Sequence, residues 1–372
     1  MEFGIIELLT LIGALGFFIY GMKVMSDGIQ KVAGSKMRSI LSKMTSTRFL
    51  GITTGFILTA LLQSSSATTV MIVSFVNAGL LSLVESIGVI MGANIGTTIT
   101  AWLISLLGFK VKISSIALPI IAFGFPMMFS SRSNIKAWAE VLIGFALLFM
   151  GLDELKESVP NLKENTEFLA FLSSYANMGV LSTILFIGVG TILTLVVQSS
   201  SAAMALTLVM CYEGYIPFEL ATAMVLGENI GTTITANLAA LVGNVHAKRA
   251  ARAHFIFNIF GVIWMIIALP FFIKMIDSYM TSYMNLSPLS SVGESVAVPI
   301  GLSIFHTTFN ILNVLFLVWF IPLISRTVIR MQPSKGEIDE EFHLEHIGGG
   351  LMQTAELSVL EAKKEIIKFG EI

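Results

Sequence analysis

The chain has one cysteine, Cys211, among 372 residues. That excludes an intramolecular disulfide and any multi-cysteine metal site. Charge is scarce too. Asp, Glu, Lys and Arg together make up 12% of the residues, roughly half the share in an ordinary soluble domain. The net charge of −2 is close to balance, and no basic patch is available for nucleic acid. There is no nucleophile–base pair, no paired carboxylates and no phosphate-loop signature, so an enzyme is not expected and no cofactor is called for. Nor is a cleavable leader visible. Met1 and Glu2 precede an apolar run that has neither a basic start nor a small-residue cleavage site, so that run reads as a first span. What the chain has in excess is apolar surface: 55% hydrophobic residues and a mean hydropathy of +0.85. Several runs reach the roughly 20 helical residues that a hydrocarbon core demands. The class that fits is an all-α polytopic membrane protein.

The apolar blocks run from about Phe3 to Met22, Phe49 to Leu83, Val84 to Gly108, Ile113 to Phe129 and Ala137 to Leu152. After a charged stretch, DELKESVPNLKENTEF, they resume at Met178 to Cys211, Phe218 to Gly243, His254 to Ile276 and Val298 to Ile324. Between the first two blocks lies a basic stretch, Lys23 to Arg48. Its apolar residues Ile29, Val32, Met37, Ile40, Leu41 and Met44 predict an interfacial amphipathic helix. The tail beyond Arg326 turns polar and then predicts an amphipathic helix through Leu351, Ala355, Leu357, Leu360 and Ile367. Such a helix needs a surface to pack on. It either docks on the membrane part or opens a larger domain.

Two of these blocks carry the same polar interruption. Residues Thr59 to Thr69 read TALLQSSSATT, and residues Leu193 to Met204 read LTLVVQSSSAAM. With Gln63 set on Gln198, the halves align without a gap through Gly108 and Gly243, at an offset of about 135 residues. MGANIGTTITAWLISLLG recurs as LGENIGTTITANLAALVG, and FFIYGM at Phe17 to Met22 resembles LLFMGL at Leu147 to Leu152. Small polar residues in membrane helices often serve only close packing. Here the polar stretches match better than the apolar ones around them, which packing alone does not explain. Duplicated, interrupted helices point to a secondary transporter with its site at the repeat interface. The expected units are residues 1–136 and 137–277 for the two repeats, 278–330 for a final helix with flanks, and 331–372 for a cytoplasmic tail.

Breaks at QSSS and at NIGTT would free backbone groups inside a protein-lined cavity. Half-helix N-termini aim N–H groups at an anion. Serine hydroxyls donate to oxyanions, while Asn and Thr oxygens suit a hard cation such as sodium. Neither motif holds Arg or Lys, so bound sodium would have to offset the anion. Phe49 to Leu83 is too long for one span and fits two half-helices meeting at QSSS, and Met178 to Cys211 behaves alike. Read as re-entrant hairpins, the two repeats are inverted, with Arg132, Lys136, Lys248, Arg249, Arg252, Arg326 and Arg330 inside and the acidic loop outside. Read as full spans, they are parallel, and Lys110, Lys112, Lys156 and Lys163 move inside. Charge bias slightly favours the second version. Hairpin length and the need for two access routes favour the first.

At these residues the sequence resembles the bacterial form of the type II sodium–phosphate cotransporter family. The resemblance rests on YGMKVMSDGIQKVAGSKMRSILSKMTSTRFLG, TALLQSSSATTVMIVSFV and IMGANIGTTIT in the first half. QSSSAAM, LGENIGTTITA and RAARAHFIFNIFG carry it in the second. It implies inverted repeats, alternating access and cotransport of inorganic phosphate with sodium in the cell membrane. By family role, Gln63, Ser64, Ser65, Ser66, Gln198, Ser199, Ser200 and Ser201 line the phosphate and sodium sites. Asn94, Thr97, Thr98, Asn229, Thr232 and Thr233 add sodium oxygens. EAKKEIIKFGE is similar to the start of the PhoU-like cytoplasmic domain of many bacterial members, of which only the first helix could be present here.

Glu228 breaks the symmetry, since its counterpart is Ala93, and an ionisable residue inside the membrane is a candidate for shaping the site. Glu85 reads as a first-turn acid. His254 with Asn258, and His306 with Asn310, share one spacing that favours hydrogen bonds between helices. Two lone histidines do not make a metal site. Cys211 reads as a small buried apolar residue. The partners expected are phosphate, sodium and the lipid bilayer, and a homodimer is one assembly open to such a chain. Two other functions stay open: a symporter of the same build for another small oxyanion or carboxylate, and a membrane phosphate sensor that does not transport.

Overall fold

The computed structural model describes residues 5–43, 47–158, 178–290, 295–334 and 336. The amphipathic segment at 351–367, the rest of the polar tail and most of the charged loop between the halves lie outside the described residues. Among the described residues all regular structure is helical. The helices are α1 (Ile5–Lys43), α2 (Arg48–Leu62), α3 (Ser65–Asn77), α4 (Leu83–Leu103), α5 (Ala117–Met127) and α6 (Ser133–Ser158). Then come α7 (Val180–Val197), α8 (Ser200–Tyr212), α9 (Phe218–Ala240), α10 (Val245–Met284), α11 (Ala297–Leu317) and α12 (Ile321–Met331). Six helical stretches are long and apolar enough to cross a membrane, so the chain is a multi-pass membrane protein. The polar residues of α9 keep it out of that set, and most of its side chains are buried against protein.

Two predicted features differ from what is seen. The basic stretch after residue 22 is not a separate interfacial helix, because α1 runs unbroken to Lys43. Its glycines hold it against α6 along that stretch: Gly21 lies on the Leu148 backbone and Gly28 on Val141. Nor does NIGTT interrupt its helix. The motif sits inside uninterrupted α4 and α9, where Thr97 and Thr232 donate back to the carbonyls of Ala93 and Glu228, at 3.2 and 2.9 Å. The glycines there admit a neighbouring backbone. A Cβ on Gly92 would overlap the Ile52 carbonyl, and one on Gly227 would overlap that of Ile187.

The QSSS interruptions are as predicted. Helices α2 and α3, of 15 and 13 residues, reach about 22 and 20 Å at 1.5 Å per residue, each short of the roughly 30 Å core. Direction decides between hairpin and span. Arg48, Ile52 and Thr59 of α2 meet Gly88, Gly92 and Gly96 of α4 in rising order, so the two helices run parallel. A chain that continued across the membrane through α3 and returned in α4 would make them antiparallel. The α2–α3 pair therefore enters and leaves on one side. Met224 against Gly190 and Thr194 against Gly231 repeat the parallel arrangement for α7 and α9.

The leading helices of the two repeats, α1 and α6, run antiparallel. Phe18, Gly21, Met25 and Gly28 of α1 meet Gly151, Leu148, Gly144 and Val141 of α6 in falling order. Equivalent helices of opposite direction make the repeats inverted. Contacts obey the same two-fold. Asn77 accepts the Asn244 N–H at 2.7 Å, and 135 residues on and back from that pair, the Tyr212 ring packs tilted against Phe109 with centroids 4.6 Å apart. Helices α6 and α10 run across residues 136–137 and 277–278, where the sequence reading divides its units.

Candidate functional site

Each QSSS motif is a helix end followed by a helix start. Gln63 closes α2 in the left-handed region (φ 50°, ψ 26°), and Gln198 closes α7 in the same way (φ 57°, ψ 22°). A residue other than glycine rarely holds that conformation, and such strain collects at functional sites. The first serine then caps the next helix: Ser64 accepts from Ala67 N at 3.1 Å and Ser199 from Ala202 N at 3.2 Å. The second serine is the first residue of its helix. Ser65 and Ser200 face each other with their Oγ atoms 3.4 Å apart. Their numbers differ by the repeat offset, so this pair sits on the two-fold itself. The third serine of the second motif, Ser201, donates to the Gln63 carbonyl at 3.5 Å. Two helix N-termini thus converge on one point.

Beside that point is a cavity of about 10 Å³, room for about one water. Its wall includes Ser65, Asn94 and Thr97 from the first repeat and Ser200, Asn229 and Thr232 from the second. Glu228 and His306 complete it. Seven of the sequence-predicted site residues therefore come together. Gln63, Ser64, Ser66, Gln198, Ser199, Ser201, Thr98 and Thr233 are close in sequence but do not line the cavity. Thr98 and Thr233 donate to the Ile95 and Ile230 carbonyls of their own helices, at 2.8 and 2.7 Å. Gln63 is buried, accepting from Thr100 Oγ1 at 3.0 Å and donating to the Ala60 carbonyl at 2.5 Å. Gln198 is exposed.

The His–Asn pairs do different jobs. His254 Nε2 lies 3.2 Å from Asn94 Oδ1, and Asn94 Nδ2 donates to Asn258 Oδ1 at 2.7 Å. That pair braces Asn94 from α10, as the spacing predicts. In α11, Asn310 donates to the His306 carbonyl at 2.9 Å, while His306 forms part of the cavity wall. Sequence reasoning missed this, because nothing in α11 reveals which helix it packs against. Glu85 is a helix-start acid as read, closing a capping box with Ser82. Cys211 is buried.

A family model for the Na+/Pi-cotransporter matches residues 17–157 and 171–290. The chain belongs to the Na+/Pi-cotransporter family. That family is one of transporters, not enzymes. Among curated relatives, a Salmonella typhimurium protein, YjbB, named as a proposed inorganic phosphate exporter, is 25% identical over 98% of this chain and 63% of its own length. YqeW of Bacillus subtilis, without an assigned function, is 31% identical over 66% of this chain and 77% of its own. The human sodium-dependent phosphate transport protein 2B is 39% identical over 28% of this chain and 15% of its own. The chain spans about 63% of the length of its full-coverage relatives. No solved structure matches.

Proposed function

We propose that this chain carries inorganic phosphate across the cell membrane in symport with sodium, by alternating access around the Ser65–Ser200 axis. The observation that supports it most is the convergence of two capped half-helix N-termini on a cavity lined by polar side chains. Two positive helix ends suit an oxyanion, and the surrounding Asn and Thr oxygens suit sodium. A cavity of about 10 Å³ has no room for a tetrahedral oxyanion, so binding one would require the two tips to part. Gln63 to Ser66 and Gln198 to Ser201 would line the phosphate path as the site opens, with Asn94, Thr97, Thr98, Asn229, Thr232 and Thr233 supplying sodium oxygens. Exposed apolar side chains such as Phe123, Ile267 and Phe271 would face lipid. Hairpin topology gathers Arg132, Lys136, Lys248, Arg252, Arg326 and Arg330 on one side, which supports that side, and the tail, as cytoplasmic.

A second reading reverses the direction. The relatives that match nearly all of this chain are named for phosphate export. A symporter runs either way according to its gradients, so direction is a matter of measurement. Proteoliposomes loaded with potassium and given an inward sodium gradient should accumulate labelled phosphate, and a matched potassium gradient should not. Sodium-independent efflux with no accumulation would sink the inward symport reading, and preference for another oxyanion in competition would replace the cargo. Ser65→Ala and Ser200→Ala should each lower uptake by about tenfold or more, the worth of one hydrogen bond to a charged group, at normal expression.

A further inference from the structure

The two repeats share a backbone but not a charge. In the first, Ile72 on α3 and Ala93 on α4 occupy equivalent places; in the second these are Thr207 on α8 and Glu228 on α9. An apolar pair has become a polar one at both positions together. Thr207 Oγ1 donates to Glu228 Oε1 at 2.6 Å. Glu228 is 3% exposed and forms part of the cavity wall. No Lys or Arg lines that cavity. One hydroxyl does not offset the cost of a buried carboxylate, which is held where something neutralises it.

The groups beside Glu228 are oxygen acceptors. Thr232 donates its proton to the Glu228 carbonyl at 2.9 Å, leaving its lone pairs available. Asn229 spends its amide nitrogen on the Val225 carbonyl at 2.9 Å, leaving Oδ1 as an acceptor. Ser200 Oγ adds a fourth oxygen to the same wall. A carboxylate, an amide oxygen and two hydroxyls form a hard donor set for a small monovalent cation.

We propose that Glu228 is the carboxylate ligand of a sodium site that only the second repeat possesses, and that its charge makes anion binding conditional on sodium. An oxyanion entering beside an unneutralised carboxylate meets like charge in a poorly screened space. With sodium in place that repulsion is removed. The cation site stands on the geometry alone; the conditional part rests on the phosphate reading above.

The test is equilibrium binding of radiolabelled sodium to the purified full chain, with and without inorganic phosphate, alongside phosphate binding at stepped sodium. Glu228→Gln keeps the shape and should weaken sodium binding by about tenfold or more, the loss expected on removing a charged ligand. Its phosphate binding should also lose much of its sodium dependence. The double change Thr207→Ile with Glu228→Ala installs the first repeat's own pair and guards against a folding artefact, and it should behave like Glu228→Gln. Sodium binding unchanged in both variants overturns the proposal. So does unchanged sodium binding with an altered pH profile of phosphate binding, which would make Glu228 a proton site. Sodium binding that depends on Glu228 in a protein that moves no phosphate upholds the cation site and removes the cargo reading instead.

Discussion

The tip of the first hairpin holds two side-chain hydrogen bonds that the tip of the second lacks. In the first, Thr59 donates to Thr68 across the break at 3.0 Å, and Gln63 is buried and held by Thr100. In the second, the residue equivalent to Thr68 is Ala203, the Thr194 hydroxyl is buried with no partner, and Gln198 is exposed. At the tip the backbones match down to the left-handed glutamine, so the difference there lies in the side chains. Inverted symmetry therefore fixes where the two tips meet, while the bracing decides which tip moves at lower cost. By that measure the second tip is the less firmly held of the two.

The comparison is tested most severely at the glycines that set it up. Gly92→Val and Gly227→Val would each drive a side chain into a facing carbonyl. Each should cost about 3 kcal/mol or more, read as loss of monodisperse protein in detergent. Equal losses fit equivalent repeats, and a mild result at either position would break the equivalence. Next come the glutamines. Gln63→Ala should lower thermal stability by about 1–2 kcal/mol, since it leaves Thr100 without its acceptor. Gln198→Ala, at an exposed position, should stay within about 0.5 kcal/mol. Similar losses would mean that the second tip is as firmly held as the first. The smallest effects are at the threonines. Thr59→Val should cost about 1 kcal/mol, whereas Thr194→Val should be neutral or slightly stabilising because it removes an unpartnered buried hydroxyl.

Much of this architecture is legible in the sequence because polar residues are so out of place in it. A QSSS run inside apolar helices announces a break, and its repetition at a fixed offset announces a two-fold. The glycines of NIGTT were harder to read. A glycine within a membrane helix signals either a break or a neighbour's close approach, and only the facing helix tells which. Thr97 and Thr98 show the same limit. Both are buried, but only Thr97 reaches the cavity, since adjacent residues on a helix point about 100° apart. His306 was seen as a residue and missed as a wall, because its place depends on the packing of α11. The exposure of Gln198 beside the burial of Gln63 has no counterpart in the motifs, which are identical.

Ser65 lies against its own counterpart, Ser200. In a symmetric pair of separate molecules, a residue on the axis touches itself. Were the two halves separate copies, this contact would be serine to the same serine, between two half-length chains inserted in opposite orientations. A half-length chain pairing in this way would have to enter the membrane both ways up, which demands loops with little bias in positive charge. In a single chain that constraint is absent and each half can hold its own chemistry, as Ala93 and Glu228 do.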